Sequence, residues 1–445
     1  MHDPGLITLI VLVLGGSVFL LTLISTNAAM VFLIFSMLFS PEIRLAGLPE
    51  RAVVLRFDDL LLGVVFFTWL AKLAINKELG VLRGTPINLP LGLFILSGVV
   101  STGWGIVNGS VTNPAASFFY FLKYFEYFLL FFMVANVVRE PRQIELFLKA
   151  LFLTAFLVGI YAYWQIVQFG GLERLTAPFE DKPEPNTLAG YFLVIIAACA
   201  GVALYAPRAL WRLLPIGLIV WLLPPFLYTY SRGGYAAFLT AFLTLCLLSQ
   251  RHKLVLFSLL LLGALVASAV LPATVIQRLA STFDPRGSLQ FVGMRLSPSA
   301  AQRVIVWEWI FEKWKQHPVL GFGVTGLGVI VDQQYALVIG ELGIVGFLTY
   351  LWVRWCIFVH TYRIFKTIDD PLAKGLSLGF LVGLVGLLVH SFAGNIFIIV
   401  RIMEPFWLLA GMVMALPLLF PSPHPPPPRP PMRSALLRPL AVKQR

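Results

Sequence analysis

Residues 321–346 read GFGVTGLGVIVDQQYALVIGELGIVG, and the rest of the chain takes its meaning from this stretch. Four glycines fall in its first eight residues, Asp332 follows, and an apolar run then carries Glu341 with it. A carboxylate inside a bilayer is costly unless it is paired or hydrated, so an ionisable residue in an apolar run marks a functional position. The glycines suit a segment that wraps closely around a ligand or re-enters a membrane. They do not make a nucleotide-binding loop, because no strand precedes them and no lysine follows. If Asp332 opens one straight helix, Glu341 lies nine residues, about 13 Å, further in and on the opposite face. The two carboxylates then cannot act as a facing acid–base pair. Asp332, at the mouth, is the candidate for chemistry. Glu341 reads as structural, with Gly343 and Gly346 letting neighbouring helices approach.

Outward from this stretch the chain is membrane-like throughout. It has 445 residues, 59% hydrophobic and only 12% charged, whereas a soluble domain carries about 25% charged residues. Apolar runs of spanning length recur near 58–76, 88–107, 115–138, 144–168, 187–206, 213–230, 233–249, 253–271, 333–359, 373–393 and 404–420. Residues 5–40 add either one tilted span or a tight pair broken at Ser25-Thr26-Asn27. The predicted fold is all-α: a polytopic bundle of about twelve spans over 1–420. A long extracytoplasmic loop, 272–332, contains a helix lying in the interface, and 421–445 form a proline-rich, disordered cytoplasmic tail. No basic region precedes the first apolar run, so it reads as a retained span and not a cleaved signal.

The net charge of +12 does not point to nucleic acid. The basic residues sit in loops on alternate sides, among them Lys72, Lys77 and Arg83, then Arg139, Arg142 and Lys149, then Arg354, Arg363, Lys366 and Lys374. That bias places the C-terminus in the cytoplasm and loop 272–332 outside. Cys199, Cys246 and Cys356 all lie in apolar runs and read as small packing residues. No His, Asp or Glu shows metal-ligand spacing, so no metal or other cofactor is expected.

The chemistry-bearing residues gather on the predicted outer face. Ser231, Arg232, Gly233 and Gly234 join two spans, and the following helix points its unpaired N–H groups and positive dipole end outward. A hydroxyl, a forked guanidinium and two glycines there are the ingredients of a phosphate site. The alternative is a tight turn whose arginine snorkels to lipid headgroups. Arg174, in loop 170–186, adds a second cation, and Asn186 is placed to cap the next helix. Within the long loop, Ser299 to Gln316 reads as a helix with Ser299 and Gln302 at capping-box spacing, and His317-Pro318 ends it. Arg303 lies in its first turn, where the macrodipole disfavours a cation unless an anion is near. His390 and Asn395 close a later span, Arg401 follows beside Glu404, and Lys123 with Glu126 form a neutralising pair.

Together these residues resemble the O-antigen ligase/polymerase superfamily of membrane glycosyltransferases. The resemblance is carried by Ser231 to Gly234, by Arg303 leading through Trp307 to His317-Pro318 and Gly321-Phe322-Gly323, by Asp332 with Tyr335, and by Glu341 with Gly343 and Gly346. Pro185-Asn186 and His390 also fit. It implies a GT-C-type, metal-independent, inverting enzyme of the bacterial inner membrane. Such an enzyme transfers or polymerises an undecaprenyl-diphosphate-linked glycan on the extracytoplasmic face, in O-antigen, lipopolysaccharide or exopolysaccharide synthesis. By the same resemblance Arg232 and Arg303 hold the diphosphate, with Ser231, Gly233, Arg174 and Arg401 as further candidates. Asp332 or His390 takes the proton of the acceptor hydroxyl, and Glu341, Asn186 and Tyr335 support the site. The implied partners are the lipid-linked donor, an acceptor glycan or lipid, membrane lipids and other polysaccharide-assembly proteins, but no nucleic acid. Ligases resemble this pattern with a histidine where this chain has Asp332, which favours a polymerase. The rival reading is a transporter or flippase for lipid-linked or anionic solutes, which expects broken helices near the midplane.

The orientation has a direct check. A cysteine at Asn186 should react with an impermeant thiol reagent added outside the cell, and one at Asp370 should not. Outside labelling of position 370 would invert the scheme.

Overall fold

The computed structural model describes residues 15–44, 54–75, 83–180, 184–281, 289–291, 294–329 and 331–421. The expected proline-rich tail beyond Pro421, residues 5–14 and the loop positions 282–288 lie outside this set, as do Arg51 and Lys77.

The described residues form helices joined by short turns. First come α1 (Gly15–Ile24), α2 (Thr26–Phe39), α3 (Phe57–Ile75), α4 (Asn88–Val107) and α5 (Pro114–Val137). Next are α6 (Pro141–Gln168), α7 (Pro185–Tyr205), α8 (Ala209–Tyr228), α9 (Arg232–Leu248) and α10 (Lys253–Val270). The last are α11 (Ala273–Ala280), α12 (Pro298–Trp314), α13 (Gln334–Thr367), α14 (Pro371–His390) and α15 (Val400–Leu419). Two ribbons of three-residue antiparallel strands interrupt them: β1 (Glu42–Arg44) with β2 (Val54–Arg56), and β3 (Leu289–Phe291) with β4 (Met294–Leu296).

The helix starts are written in the sequence. Pro stands at the first turn of α5, α6, α7, α12 and α14, where its missing N–H costs nothing and its fixed φ suits a helix. Side chains of Asn113, Glu184, Ser231 and Asp370 accept first-turn amides of α5, α7, α9 and α14, as caps do. Two cap expectations are corrected by this. Glu184, not Asn186, caps α7, because Pro185 takes the first helical position. Ser297, not Ser299, precedes α12, which again opens on a proline.

Among the described residues eight helices, α4 to α8 and α13 to α15, are long and apolar enough to cross a membrane, and the chain is a multi-pass membrane protein. The twelve expected spans are not established. α1, α2, α9 and α10 are apolar but shorter, and α3 carries Asp58, Asp59 and Lys72. The N-terminal stretch resolves into α1 and α2 on either side of Ser25, which accepts the Ala28 amide. At 14 residues α2 is about 21 Å long, short of a bilayer core of about 30 Å.

The centre of the bundle is α7, α14 and α15. Their apolar windows are 83%, 72% and 83% buried, against 28% for α8 at the rim. Gly375, Gly379 and Gly383, spaced by four on α14, lie against α7, where a Cβ on Gly201 would come within 2.6 Å of Gly379 Cα. Small residues at this spacing let two helices approach backbone to backbone in lipid. Trp407 of α15 locks onto α5 through edge contacts with Phe128 and Phe131, at 5.2 and 5.5 Å between centroids.

α13 departs from expectation in a way that moves the site. It is not one straight span. Gly343 has φ 61°, ψ −165°, and divides it into an arm of residues 334–342 and a longer helix of residues 344–367. Fifteen residues of straight helix would part Tyr335 and Tyr350 by about 22 Å. Their rings are instead 6.1 Å apart, so the arm folds back along the longer helix. The loop 317–323 fastens the break. Pro318 and Val319 carbonyls accept the amides of Ile344 and Val345, at 2.9 and 3.3 Å, and the amides of Phe322 and Gly323 reach the carbonyls of Gly340 and Glu341, at 3.1 and 2.8 Å. Glu341 therefore lies at this corner and not deep along a span, and its Oε1 accepts the Thr325 amide at 2.9 Å. Asp332 stands two residues before the arm and does not open it.

A side chain at Gly343 would meet the Val319 carbonyl and the Gly321 amide. Gly343→Ala should destabilise the protein by at least the roughly 1–3 kcal/mol of a disfavoured backbone conformation, read as unfolding in detergent. Gly263→Ala, with open space around it, should be neutral or stabilising by up to about 1 kcal/mol.

Candidate functional site

Three connections and two helix starts converge at one end of the bundle. In the loop after α6, the Leu175 amide bonds the Tyr228 carbonyl at 3.2 Å and Arg174 Nε bonds the Thr229 carbonyl at 3.3 Å. The Arg174 side chain is thus held against the end of α8. Between α8 and α9, Tyr230 sits at φ 50°, a conformation a bulky residue keeps only when its surroundings enforce it. Its hydroxyl bonds the Gly171 carbonyl at 2.6 Å and lies 2.8 Å from Thr274 Oγ1 on α11.

Ser231 follows and makes three contacts. It accepts the Gly234 amide at 3.1 Å, donates to Asn186 Oδ1 at 2.7 Å, and lies 3.5 Å from His390 Nε2. Asn186 in turn donates to Glu184 Oε1 at 2.7 Å. Gly233 is required by packing, since a Cβ there would meet Ala393 Cβ at 2.5 Å and His390 Cδ2 at 3.1 Å.

α12 supplies the facing wall. Ser299, Gln302, Arg303 and Val306 are spaced by three and four and share one helix face, and all four line the cavity. Arg303 Nη2 bonds the Ala393 carbonyl at 3.3 Å, and its own carbonyl accepts Gln333 Nε2 at 3.1 Å. The segment between α14 and α15 closes the remaining side. Asn395 donates to the Val331 carbonyl, and Gln334 Oε1 accepts the Phe397 amide at 3.0 Å. The resulting cavity, about 480 Å³, is lined by Arg174, Glu184, Asn186, Arg303, Asp332 and Asn395 among others.

Its electrostatics favour an anion. Burial pushes the Arg174 and Arg303 guanidinium pKa values down, and the nearby charge of Arg278 adds to both; Arg303 also repels Arg174, while Asp332 offsets part of the shift at Arg303. Arg232 is within electrostatic reach of Arg174, Arg278 and Arg303, and its fork donates to Ser297 Oγ at 3.2 Å and to Ser299 Oγ. Arg174 and Arg303 thus line the cavity with the two carboxylates of Glu184 and Asp332, and Arg232 and Arg278 add positive charge from beyond its lining. Such an excess, with forked donors, matches a doubly charged phosphate ester. Among the described residues no group of three or more His, Cys, Asp or Glu is placed to hold a metal ion.

The residues singled out in the sequence divide into three sets. Arg174, Asn186, Arg303 and Asp332 line the cavity, and Arg232 reaches its wall through Ser299. Ser231, Gly233 and His390 lie beneath it; His390 is fully buried and is not part of the lining, which separates it from Asp332. Arg401, Glu341 and Tyr335 are elsewhere. Arg401 is buried in a second charge cluster, 3.0 Å from Glu42 and 3.3 Å from Glu180, and it bonds the Ser40 and Phe179 carbonyls at 3.3 and 3.1 Å. It is spoken for by these partners and is corrected from ligand candidate to structural cation. The cluster continues through Arg56, Asp58 and Glu404, and Lys123 pairs with Asp59 as well as with Glu126, at 3.5 Å. Tyr335 donates to the Leu388 carbonyl at 2.7 Å.

Sequence reading passed over Glu184, which lines the cavity, and Arg278, whose charge reaches it, and read Ser299 only as a helix cap. Arg278 lies on α11, eight residues long, inside what reads as a featureless part of the long loop. Its Nε is buried without a hydrogen-bond partner among the described residues. The apolar Val275 and Leu279 at i, i+4 spacing were the available signal for that helix.

Residues 225–351 match the O-antigen ligase family model. The matched segment runs from the end of α8 to the longer helix of α13 and includes Ser231, Arg232, Arg278, Arg303 and Asp332. It supports membership of the O-antigen ligase superfamily. A search of curated proteins gave no match.

The loop that presents Arg174 and Glu184 also carries Glu180, which faces Arg401. Burial pushes the Glu180 carboxyl up to about 7, with the Glu184 amide and Arg401 opposing the shift. The folded chain then holds this proton more tightly than the unfolded chain, where glutamate titrates at about 4.3. Stability should fall as pH rises from that value to about 7 and level off above it. Glu180→Gln should flatten thermal unfolding across this window, and an unchanged slope would remove Glu180 as its source.

Proposed function

From a chain with an O-antigen ligase segment inside a multi-pass bundle, we propose a glycosyltransferase that uses a polyprenyl-diphosphate-linked glycan as donor. It transfers or polymerises that glycan on the extracytoplasmic face of the bacterial inner membrane. The observation that carries this reading is one cavity lined by Arg174, Arg303 and Asp332, with Arg232 and Arg278 within electrostatic reach.

The chemistry follows from that arrangement. The guanidinium forks bind the diphosphate and stabilise the charge that grows on it as the bond between the sugar C1 and the phosphate oxygen breaks. Asp332, exposed on the cavity wall, accepts the proton of the acceptor hydroxyl. The hydroxyl oxygen attacks C1 from the face opposite the leaving group, so the anomeric centre inverts. His390, buried under Ser231, orients the Ser231–Asn186 wall and does not exchange protons with the acceptor. The guanidinium groups supply the positive charge, so the step draws on no metal. A carboxylate at position 332 favours polymerisation over ligation to a lipid core.

The transport reading expected broken helices, and α13 is broken at Gly343. That break is fastened by loop 317–323, which favours a fixed site over alternating access.

Purified protein supplied with lipid-linked repeat units should form longer glycan with no other protein and in excess chelator. Arg303→Lys and Arg232→Lys keep the charge but lose the fork. Losing a charge-assisted hydrogen bond of about 1.5–3 kcal/mol in the transition state should slow transfer roughly ten- to a hundredfold. Near-normal rates for both variants at matched abundance would reject the diphosphate role.

A further inference from the structure

A second hollow lies along the same arm of α13 that ends at the cavity. It is a groove of about 320 Å³ between α4, α5 and the arm, walled by Phe94, Val99, Phe121, Leu122, Phe125 and Leu337. Its lining is apolar except for Tyr124 and Glu341, and Glu341 is engaged by the Thr325 amide. Val99, Leu122 and Phe125 are 54%, 45% and 48% exposed, so the groove opens sideways, where lipid would lie. Gly98 gives it depth, because a Cβ there would meet the Phe121 ring at 2.6 Å.

The groove and the cavity share an end of the molecule. Leu337 follows Asp332 by five residues, and Gln334, which opens the arm between them, is the neighbour of Gln333 in the cavity wall. The start of α5 and the α4–α5 turn are tied to the segment that fastens the α13 break. Ser110 Oγ donates to the Phe322 carbonyl at 2.7 Å, and Ser117 Oγ to the Val324 carbonyl at 2.8 Å. A second apolar groove, about 530 Å³ between α6 and α8, lies on residues 149–156 and 210–221. It stops twelve residues short of the Gln168 end of α6 and seven residues, about 10 Å, short of the Tyr228 end of α8, and no residue of α13 lines it. Of these two grooves only the first is lined by the arm of α13, which opens two residues after Asp332.

We propose that the α4–α5–α13 groove holds the polyprenyl chain of the donor whose diphosphate sits among the arginines. This rests on the donor assigned above and adds where its lipid goes. An apolar chain gains by leaving water or looser contacts for a walled, aromatic groove, and the arm of α13 then separates the two ends of one substrate. The arrangement sets a chain-length dependence: a short prenyl group ends before the groove and gains nothing from it.

Leu122→Trp and Val99→Trp test this, since both positions are substantially exposed and a larger apolar side chain there meets lipid. Each should raise KM for an undecaprenyl-diphosphate donor roughly tenfold, the effect of losing contact with about two methylenes. KM for the same glycan on a short prenyl diphosphate should not change. Leu214→Trp, in the α6–α8 groove, should leave both unchanged. Equal changes for long and short donors, or none for either, would overturn the assignment. A photoreactive undecaprenyl diphosphate without glycan gives a readout that needs no transfer. Its label should fall on α4 and α5 and decrease in Leu122→Trp. Labelling of α6 and α8 instead, or displacement by ordinary phospholipid, would overturn the groove. Labelling of α4 and α5 without glycan transfer would leave the groove standing and reject the enzymatic reading.

Discussion

The fold depends on how one broken helix satisfies its backbone. In lipid an unpaired amide or carbonyl has no water to turn to, so a helix can be interrupted only where protein supplies the missing partners. At Gly343 the partners come from the polypeptide that precedes the helix, two carbonyls and two amides of loop 317–323. Ser101 of α4 adds its hydroxyl to the Glu341 carbonyl at 2.8 Å. Gly321 and Gly343 permit this because their backbones touch where a Cβ would stand. Folding the arm back brings Asp332 to the cavity and Gln334 under the α14–α15 connection, so the site's carboxylate is placed by a backbone contact well outside the site.

The second constraint is charge. Arg56, Asp58, Arg401 and Glu404 are all at most 2% exposed and meet where β2, the start of α3 and the start of α15 converge. Removing one member of such a set strands the others without solvent, which is far costlier than the set is stabilising. The cluster therefore fixes the N-terminal ribbon and α3 to the central α15. Through Glu180 and the Phe179 carbonyl, Arg401 also holds the far end of the loop that carries Arg174. Phe179, at φ 57°, keeps a strained backbone under that restraint.

What the sequence made legible was local. Helix positions followed from apolar runs, but the starts at Pro141, Pro185 and Pro371 lie two or three residues before the predicted ones, because an apolar run does not mark the polar first turn. Arg303 and Asp332 were recognisable as residues out of place for their surroundings. The break at Gly343 was not legible, since a glycine in an apolar run is equally consistent with close helix packing. Arg401 was misassigned for a related reason: its partners, Glu42 and Glu180, lie hundreds of residues away in the chain. His390 and Asp332 looked interchangeable as bases until burial separated them.

The glycine seam between α7 and α14 has a mechanical consequence. The two helices run in opposite directions, so the start of α7, with Asn186, and the end of α14, with His390, lie at the same end of one backbone-to-backbone contact. That half of the cavity behaves as a strut of fixed length, with no side-chain layer in the seam to slide or compress. Any movement that admits a bulky ligand therefore falls to the opposite wall, α12 with α11 beside it. Those helices meet the strut through side chains, among them the bond from Arg303 to the Ala393 carbonyl, which rotamer changes can break and remake.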